Sequence, residues 1–169
     1  EAAAIAPGAD GLVVLDHFQG NRTPFTDAAS RGCLNGLSLS HTRGHIFRAL
    51  MEGIGYGTEL ILENFRSGGF TPSEMVICGG ATNSDLWMQI HADISNLPII
   101  KTRVADAPAL GSAMLAGICG GAFSSFEQAA DAMVQVERRI EPDPERHAVY
   151  RDLIADYKAL YPALRDIRR

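Results

Sequence analysis

The sequence has few cysteines, one tryptophan and no long apolar run. Cys33, Cys78 and Cys119 are an odd number, lie far apart and have apolar or glycine neighbours. We therefore expect buried, reduced thiols rather than a disulfide framework or a zinc site. The five histidines do not share a helical face with a carboxylate pair at metal-ligand spacing, so no metal site is predicted.

An excess of positive charge is also missing, because the formal net charge is -5. A protein of this charge is not expected to track the phosphates of nucleic acid over a broad surface. No segment approaches the roughly 20 apolar residues that cross a bilayer, and residues 1–8 have neither a basic start nor a long apolar stretch. We expect no membrane span, no signal peptide and a cytoplasmic location.

The composition is that of an ordinary globular domain. The 169 residues are 46% hydrophobic and 21% charged, which excludes the collagen-like, disordered and coiled-coil classes. A chain of this length builds one hydrophobic core rather than two separate ones. Composition alone says nothing about function.

Apolar periodicity predicts strands alternating with helices of ten or more residues. This order is typical of a three-layer α/β domain, in which helices cover a sheet, and the small residues of 109–119 would let that helix lie close to the sheet. Strands are predicted at Leu12–Phe18, Met75–Cys78 and Leu97–Lys101, with a short strand or turn at Arg138–Ile140. Helices are predicted at Thr42–Arg66, Asp85–Ile94, Ala109–Cys119, from Ser124 or Ser125 to Met133, and from Pro144 to Pro162.

Two glycines interrupt the longest predicted helix. Gly53 and Gly57 lie four residues apart, and each costs about 1 kcal/mol relative to alanine in a helix interior. We expect another element of the fold to pack against the stripe that they leave bare.

The most informative segment is CGGATNSD, residues 78–85, in which a predicted strand runs through a glycine turn into a helix. Adjacent glycines let backbone N–H groups approach a ligand, and the helix N-terminus offers free donors and the positive end of a dipole. An anion or a ribose would suit such a turn. The alternative is a tight turn with an N-cap at Asn83, Ser84 or Asp85 and no ligand. The glycine patterns of a dinucleotide-binding oxidoreductase and of a Walker loop are both absent.

Several segments in order resemble the C-terminal nucleotide-binding domain of the FGGY carbohydrate kinases. They are DHFQGNRTPFTDAASRGCLNGLSLSHT from residue 16, ALMEGIGYGTELILENF from residue 49, GGATNSDLWMQIHADISNLPI from residue 79 and DAPALGSAMLAG from residue 106. The resemblance extends from about Leu12 to Phe123. The Gly-Asn-Arg form of the first segment looks more like the ribulokinase branch than the xylulokinase branch.

The resemblance implies a ribonuclease-H-like domain of the actin, hexokinase and Hsp70 superfamily, incomplete at its N-terminal side. Residues 1–169 would be the C-terminal domain of a larger two-domain kinase that transfers a phosphoryl group from ATP, with Mg²⁺ on the phosphates, to a pentulose or related sugar or polyol. The catalytic base would lie in the N-terminal domain, so no catalytic residue is assigned here, and this chain alone would be inactive.

Partners implied by the resemblance are the sugar and the chain's own N-terminal domain. A homo-oligomer is a further expectation, because apolar surface would be exposed where strands are missing. The alternative is a non-catalytic nucleotide-sensing or assembly module with the same fold, since a fold does not prove chemistry.

By position, the resemblance places Gly79, Gly80 and Ala81 in the family's adenosine turn. Ser84 falls where some members have a polar residue that contacts the nucleotide. Asp106 stands where many members have glutamate, and it is equally suited to capping the helix that follows.

A second loop, Gly20-Asn21-Arg22, is expected at the cleft between the two domains. Arg22 has two open roles: it braces the loop, through Asp27 or backbone carbonyls, or it contacts a ligand. We favour the bracing role.

Overall fold

The computed structural model describes residues 1–167, which form five α-helices and five short strands. The predicted α/β class is confirmed. No helix in this range is long and apolar enough to cross a membrane. The helices are α1 (Arg43–Ser67), α2 (Asp85–Ser95), α3 (Ala107–Cys119), α4 (Phe126–Met133) and α5 (Pro144–Arg165), and the strands are β1 (Val13–Leu15), β2 (Cys33–Asn35), β3 (Met75–Ile77), β4 (Ile99–Thr102) and β5 (Val136–Ile140).

The main sheet has the order β3-β4-β5. Strands β3 and β4 are parallel, with Met75 opposite Ile99, and β5 runs antiparallel to β4. Strands β1 and β2 form a separate antiparallel pair. Because β3 and β4 are parallel, the turn after β3 and the loop after β4 emerge at the same edge of the sheet.

The largest core cluster joins α1, α2 and α5 to β1. The predicted close approach at the glycine stripe of α1 is confirmed. A Cβ atom on Gly53 would lie 2.4 Å from the carbonyl oxygen of Val14 in β1, and one on Gly57 would lie 3.0 Å from the Asp16 carboxylate. Glycine therefore lets α1 lie directly on β1.

A buried ion pair lies next to this contact and is not evident from the sequence. Arg48 Nε donates to Glu52 Oε1 over 2.7 Å, one turn apart on α1. Glu52 also accepts hydrogen bonds from the Tyr150 hydroxyl of α5 and from the backbone N–H of Gly8. The network ties the N-terminal segment and α5 to the middle of α1.

The structure corrects three expectations. No residue of α3 is buried, and its main contacts within residues 1–167 are with α4, so α3 does not lie close against the sheet. Pro162 does not end α5, which continues to Arg165 because a proline near a helix end removes one hydrogen bond while Leu160 and Leu164 still pack into the core.

The third correction concerns the thiols, which are free as predicted but are not all buried. Cys33 is half-buried, whereas Cys78 and Cys119 are exposed. Cys78 follows the end of β3 and Cys119 ends the exposed helix α3, and their glycine neighbours have no side chains to cover them. Apolar or glycine neighbours in sequence therefore do not predict burial at the end of an element.

The imidazole of His91 lies on α2, buried and near the ring of Trp87. Burial lowers the pKa of His91 from 6.5 to about 4. Between these two pKa values the unfolded chain binds a proton at His91 and the folded chain does not. The contribution of neutral His91 to the free energy of unfolding is therefore fully present above about pH 6.5 and is lost as the pH falls towards 4.

We expect His91→Phe to remove this loss of stability in acid. Urea unfolding should show the wild type losing about 1 kcal/mol more than the variant between pH 7.5 and pH 5.5, and parallel pH profiles would contradict the prediction.

Candidate functional site

The glycine turn after β3 has a backbone shape that requires glycine. Gly79 adopts φ 80° and ψ -161°, a region that essentially only glycine occupies. Its N–H donates to the carbonyl oxygen of Ala105 over 2.9 Å, which joins the turn to the loop after β4. Its own carbonyl accepts from the hydroxyl and the N–H of Thr82. Hydrogen bonds to Ala105 and to Thr82 therefore fix the turn, while its outer surface is not covered by other described residues.

A cleft of about 530 Å³ opens at this edge of the sheet. No atom outside the turn lies within 4 Å of the position that a Cβ would take on Gly79 or Gly80. The backbone of the turn is therefore exposed to the cleft rather than packed against the protein. The cleft is lined by Cys78, Gly79, Gly80, Asn83, Ala105, Asp106 and Pro108.

Ser84 and Asp106 each cap a helix at this cleft or beside it. The Ser84 hydroxyl accepts from the N–H of Trp87 over 3.2 Å at the start of α2, and Asp106 accepts from the N–H of Ala109 over 3.0 Å at the start of α3. The capping roles left open by the sequence are confirmed for both residues. Ala81 lies within the short 3₁₀ turn Gly80–Asn83, and its carbonyl oxygen accepts from the N–H of Ser84 over 3.1 Å.

Charge beside the cleft comes from an ion pair across the start of α2. Arg138 on β5 contacts Asp85 over 2.5 Å. The hydrogen bond from Arg138 lowers the pKa of Asp85, so this carboxylate stays ionised at neutral pH. Both side chains of this pair are exposed.

The second predicted loop lies where β1 leads away from the core. Gly20 has φ 82°, and a Cβ there would lie 2.9 Å from the backbone of Ala28, so glycine is required. The backbones of Asn21 and Asp27 exchange two hydrogen bonds of 2.8 and 2.7 Å, which close the loop. Within residues 1–167, Gly20, Asn21 and Arg22 form no hydrogen bond with the turn at 79–84.

The favoured bracing role of Arg22 is not seen. Among the described residues its guanidinium has no hydrogen bond or ion pair, and it is exposed. The Asp27 carboxylate instead accepts from the backbone of Ala29 and from the hydroxyl of Tyr161 on α5. Asp27 is thus engaged by its own turn and by α5, and it is Asn21 that braces the loop.

Sequence reasoning missed His17 as a partner of this loop. Its Nδ1 lies 2.6 Å from the Ser30 hydroxyl and its Nε2 lies 2.9 Å from the Asn21 side-chain nitrogen. The imidazole lies beside the rings of Phe25 and Tyr161, which stack with centroids 4.0 Å apart. Only the dense spacing of polar residues between 16 and 30 hinted at such a cluster.

Comparison with known proteins matches residues 1–119 to the C-terminal domain of the FGGY family of carbohydrate kinases. A xylulose kinase of Bacillus subtilis is 36% identical over 164 residues, which cover 97% of this chain and 33% of that protein. A ribulokinase of Bacillus licheniformis is 36% identical over 167 residues, covering 95% of this chain and 30% of that protein. The two relatives are equally similar, so identity does not separate the two branches.

A solved structure, that of xylulose kinase from Rhodospirillum rubrum, superimposes with a TM-score of 0.84 at 36% identity. The superposition covers 98% of this chain and 33% of that one. The chain therefore spans about a third of the length of the relatives it matches.

Proposed function

The chain belongs to the FGGY family of carbohydrate kinases, and from this membership we propose that it binds the adenosine part of ATP within an enzyme that phosphorylates a sugar. The acceptor would be a pentulose or a related sugar or polyol, as the xylulose kinase and ribulokinase relatives suggest. The remaining two-thirds of the enzyme would supply the catalytic base and the sugar pocket.

The observation that supports this proposal is the open backbone at Gly79 and Gly80. Ligands of α/β proteins commonly bind outside the carboxyl ends of parallel strands, and the cleft lies at the carboxyl ends of β3 and β4. A flat purine or ribose can lie on a backbone that carries no side chain. Ala81 and Ser84, which continue the turn into α2, would border the nucleoside.

The loop at Gly20-Asn21-Arg22 would face the N-terminal domain across the cleft between the two domains. An exposed guanidinium without a partner in residues 1–167 is suited to a phosphate or to a carboxylate of that domain. Mg²⁺ would be held by the phosphates of ATP and by residues outside this chain. Residues 1–167 contain no cluster of three or more potential metal ligands.

Gly80→Val tests the nucleotide assignment. The φ angle of Gly80 is not positive and a Cβ there meets no atom within 4 Å, so the variant is expected to fold. Its side chain would occupy the space proposed for adenosine. In the full-length protein, calorimetric titration should show ATP affinity reduced by on the order of tenfold or more.

Ala155→Val is the control, because it also creates a valine, by adding two methyl groups, on the exposed side of α5. Its ATP affinity should equal that of the wild type. A folded Gly80→Val protein with unchanged affinity would place the nucleotide elsewhere.

The reaction itself is tested by screening pentuloses and polyols with the full-length protein and ATP. ATP-dependent phosphorylation of one of them is the expected result. ATP binding without phosphorylation of any sugar would instead support a non-catalytic module, and absence of ATP binding would contradict both functions.

A further inference from the structure

The cleft beside the glycine turn carries negative rather than positive charge. Asp106 is the one charged side chain among the lining residues that the structure describes, and no lysine, arginine or histidine is among them. A triphosphate is strongly anionic and binds where cationic side chains or free backbone donors face it. The cleft therefore suits the uncharged nucleoside end of ATP, and the triphosphate must extend away from Asp106.

The first turn of helix α3, which borders the cleft, has few donors to offer an anion. Pro108 has no N–H, and the N–H of Ala109 donates to Oδ1 of Asp106. Two of the groups with which a helix N-terminus usually holds an anion are therefore absent or engaged. At this wall of the cleft the protein presents an acceptor instead.

One oxygen of the Asp106 carboxylate remains available to a ligand. Oδ1 accepts from the N–H of Ala109 over 3.0 Å, which fixes the side chain at the start of α3. Oδ2 accepts no hydrogen bond from any residue in the range 1–167, and the residue is exposed. Because a carboxylate oxygen only accepts, this atom requires a ligand group that donates.

The glycine turn and the loop after β4 form the two walls of this cleft. The N–H of Gly79 donates to the Ala105 carbonyl oxygen over 2.9 Å, and Asp106 follows directly after Ala105. A nucleoside that lies on the open backbone of Gly79 and Gly80 would therefore have the Asp106 carboxylate beside it. The donors of adenosine are its ribose hydroxyls and the amino group of its base.

Asn83, on the wall formed by the turn, indicates which of these donors meets Asp106. Its side-chain amide is exposed at the cleft and forms no hydrogen bond within residues 1–167. An amide both donates and accepts, which matches the edge of adenine, where a donor and an acceptor are adjacent. An acceptor-only carboxylate matches a ribose hydroxyl, which acidic residues also bind in dinucleotide-binding folds. The ribose hydroxyls are therefore the donors that suit Asp106.

We propose that Asp106 is a specificity-determining residue: its free oxygen accepts from a ribose hydroxyl of ATP, so that the protein prefers ribonucleotides to their deoxy analogues. The inference rests on the proposed function, which places adenosine on the turn at Gly79 and Gly80. It extends that function by assigning a ribose contact to the residue that also caps α3.

Asp106→Ser removes the free oxygen and keeps the cap, because serine is as good an N-cap residue as aspartate. Calorimetric titration of the full-length protein compares ATP with 2′-deoxy-ATP and 3′-deoxy-ATP. The wild type should bind ATP about tenfold more tightly than at least one of these analogues, as loss of a hydrogen bond to a charged group implies. The variant should bind ATP and that analogue with affinities within about twofold of each other. Since the three nucleotides carry the same charge, this ratio does not depend on the charge that the substitution removes.

Asp143→Ser is the matched control. Asp143 caps α5 through the N–H groups of Glu145 and Arg146, as Asp106 caps α3, and it lies outside the cleft. The control should keep the wild-type preference for ATP. ATP binding without such a preference in the wild type, or with the same preference in Asp106→Ser, would overturn the role of Asp106 alone. Absence of ATP binding by the wild type would contradict the proposed function and this inference with it.

Purine riboside triphosphate, which lacks the amino group of adenine, tests the other donor. If Asp106 binds the ribose, Asp106→Ser should change the affinity for this analogue by the same factor as the affinity for ATP. An effect confined to ATP would place the carboxylate at the base and overturn the ribose assignment.

Discussion

Glu52→Gln is expected to lower the free energy of unfolding by about 3–5 kcal/mol, a range typical of a buried ion pair that loses one partner. The substitution keeps the size of the side chain but removes its charge, so the Arg48 guanidinium stays buried without a counter-ion. Glu52 and Arg48 are 1% and 5% exposed, and Glu52 also accepts from Tyr150 and Gly8. Burial and the nearby Glu52 carboxylate raise the pKa of the Tyr150 hydroxyl, which keeps it a donor. Urea denaturation measures the loss.

Glu63→Gln is the matched control. Glu63 lies on the same helix and, like Glu52, links α1 to α5, through Lys158 at 2.6 Å, but both side chains of this pair are about 40% exposed. An exposed pair is worth at most about 1 kcal/mol, so the control should lose little. Equal losses in the two variants would mean that burial of the Arg48–Glu52 pair contributes nothing.

The sequence predicted the helices well because their signals are local. The apolar period of α1 and the glycine at its end depend on neighbouring residues, and the helix begins and ends within one residue of the predicted bounds. The glycine turn after β3 was found for the same reason. A strand, two glycines and a capping residue lie within ten positions of each other.

What the sequence could not predict depends on contacts between distant residues. The hydroxyl of Tyr150 donates to Glu52, which lies 98 positions away in the chain, and no local sequence pattern predicts that hydrogen bond. The burial of α3 was overestimated. Small apolar residues permit close packing, but they do not show which element, if any, packs against them. Pro162 was taken as a stop because local chemistry disfavours proline in a helix, whereas packing of its neighbours holds the helix together.

The same limit applies to the candidate site. Gly79 and Gly80 follow from a pattern, but the role of Asn21 follows from His17, Ser30 and Phe25 meeting in three dimensions. Because Arg22 is charged, we expected it to brace the loop, whereas the neighbouring residue Asn21 does so in the structure. Residue type suggests chemistry, while the donors and acceptors that surround a residue decide what it does.

Gly53→Val is expected to lower the free energy of unfolding by about 3 kcal/mol, because overfilling a packed contact costs about that much and the obstacle here is backbone. The new Cβ would lie 2.4 Å from the carbonyl oxygen of Val14 and 3.3 Å from its Cβ. Val14 is buried and paired with Leu34 of β2, so β1 cannot simply bend away. Thermal or urea unfolding of the protein measures the loss.

Gly111→Val makes the same change in helix α3, where a Cβ meets no atom within 4 Å. Helix propensities for glycine and valine are similar, so this control should change stability by no more than about 0.5 kcal/mol. A similar, small effect of both variants would mean that α1 does not depend on contact with β1. The contact between α1 and β1 also affects the loop that contains Arg22, because β1 leads directly into Asp16, His17 and that loop. If α1 and β1 separate, Gly53→Val should weaken the protection of the Phe25 amide from hydrogen exchange, and Gly111→Val should leave that protection unchanged.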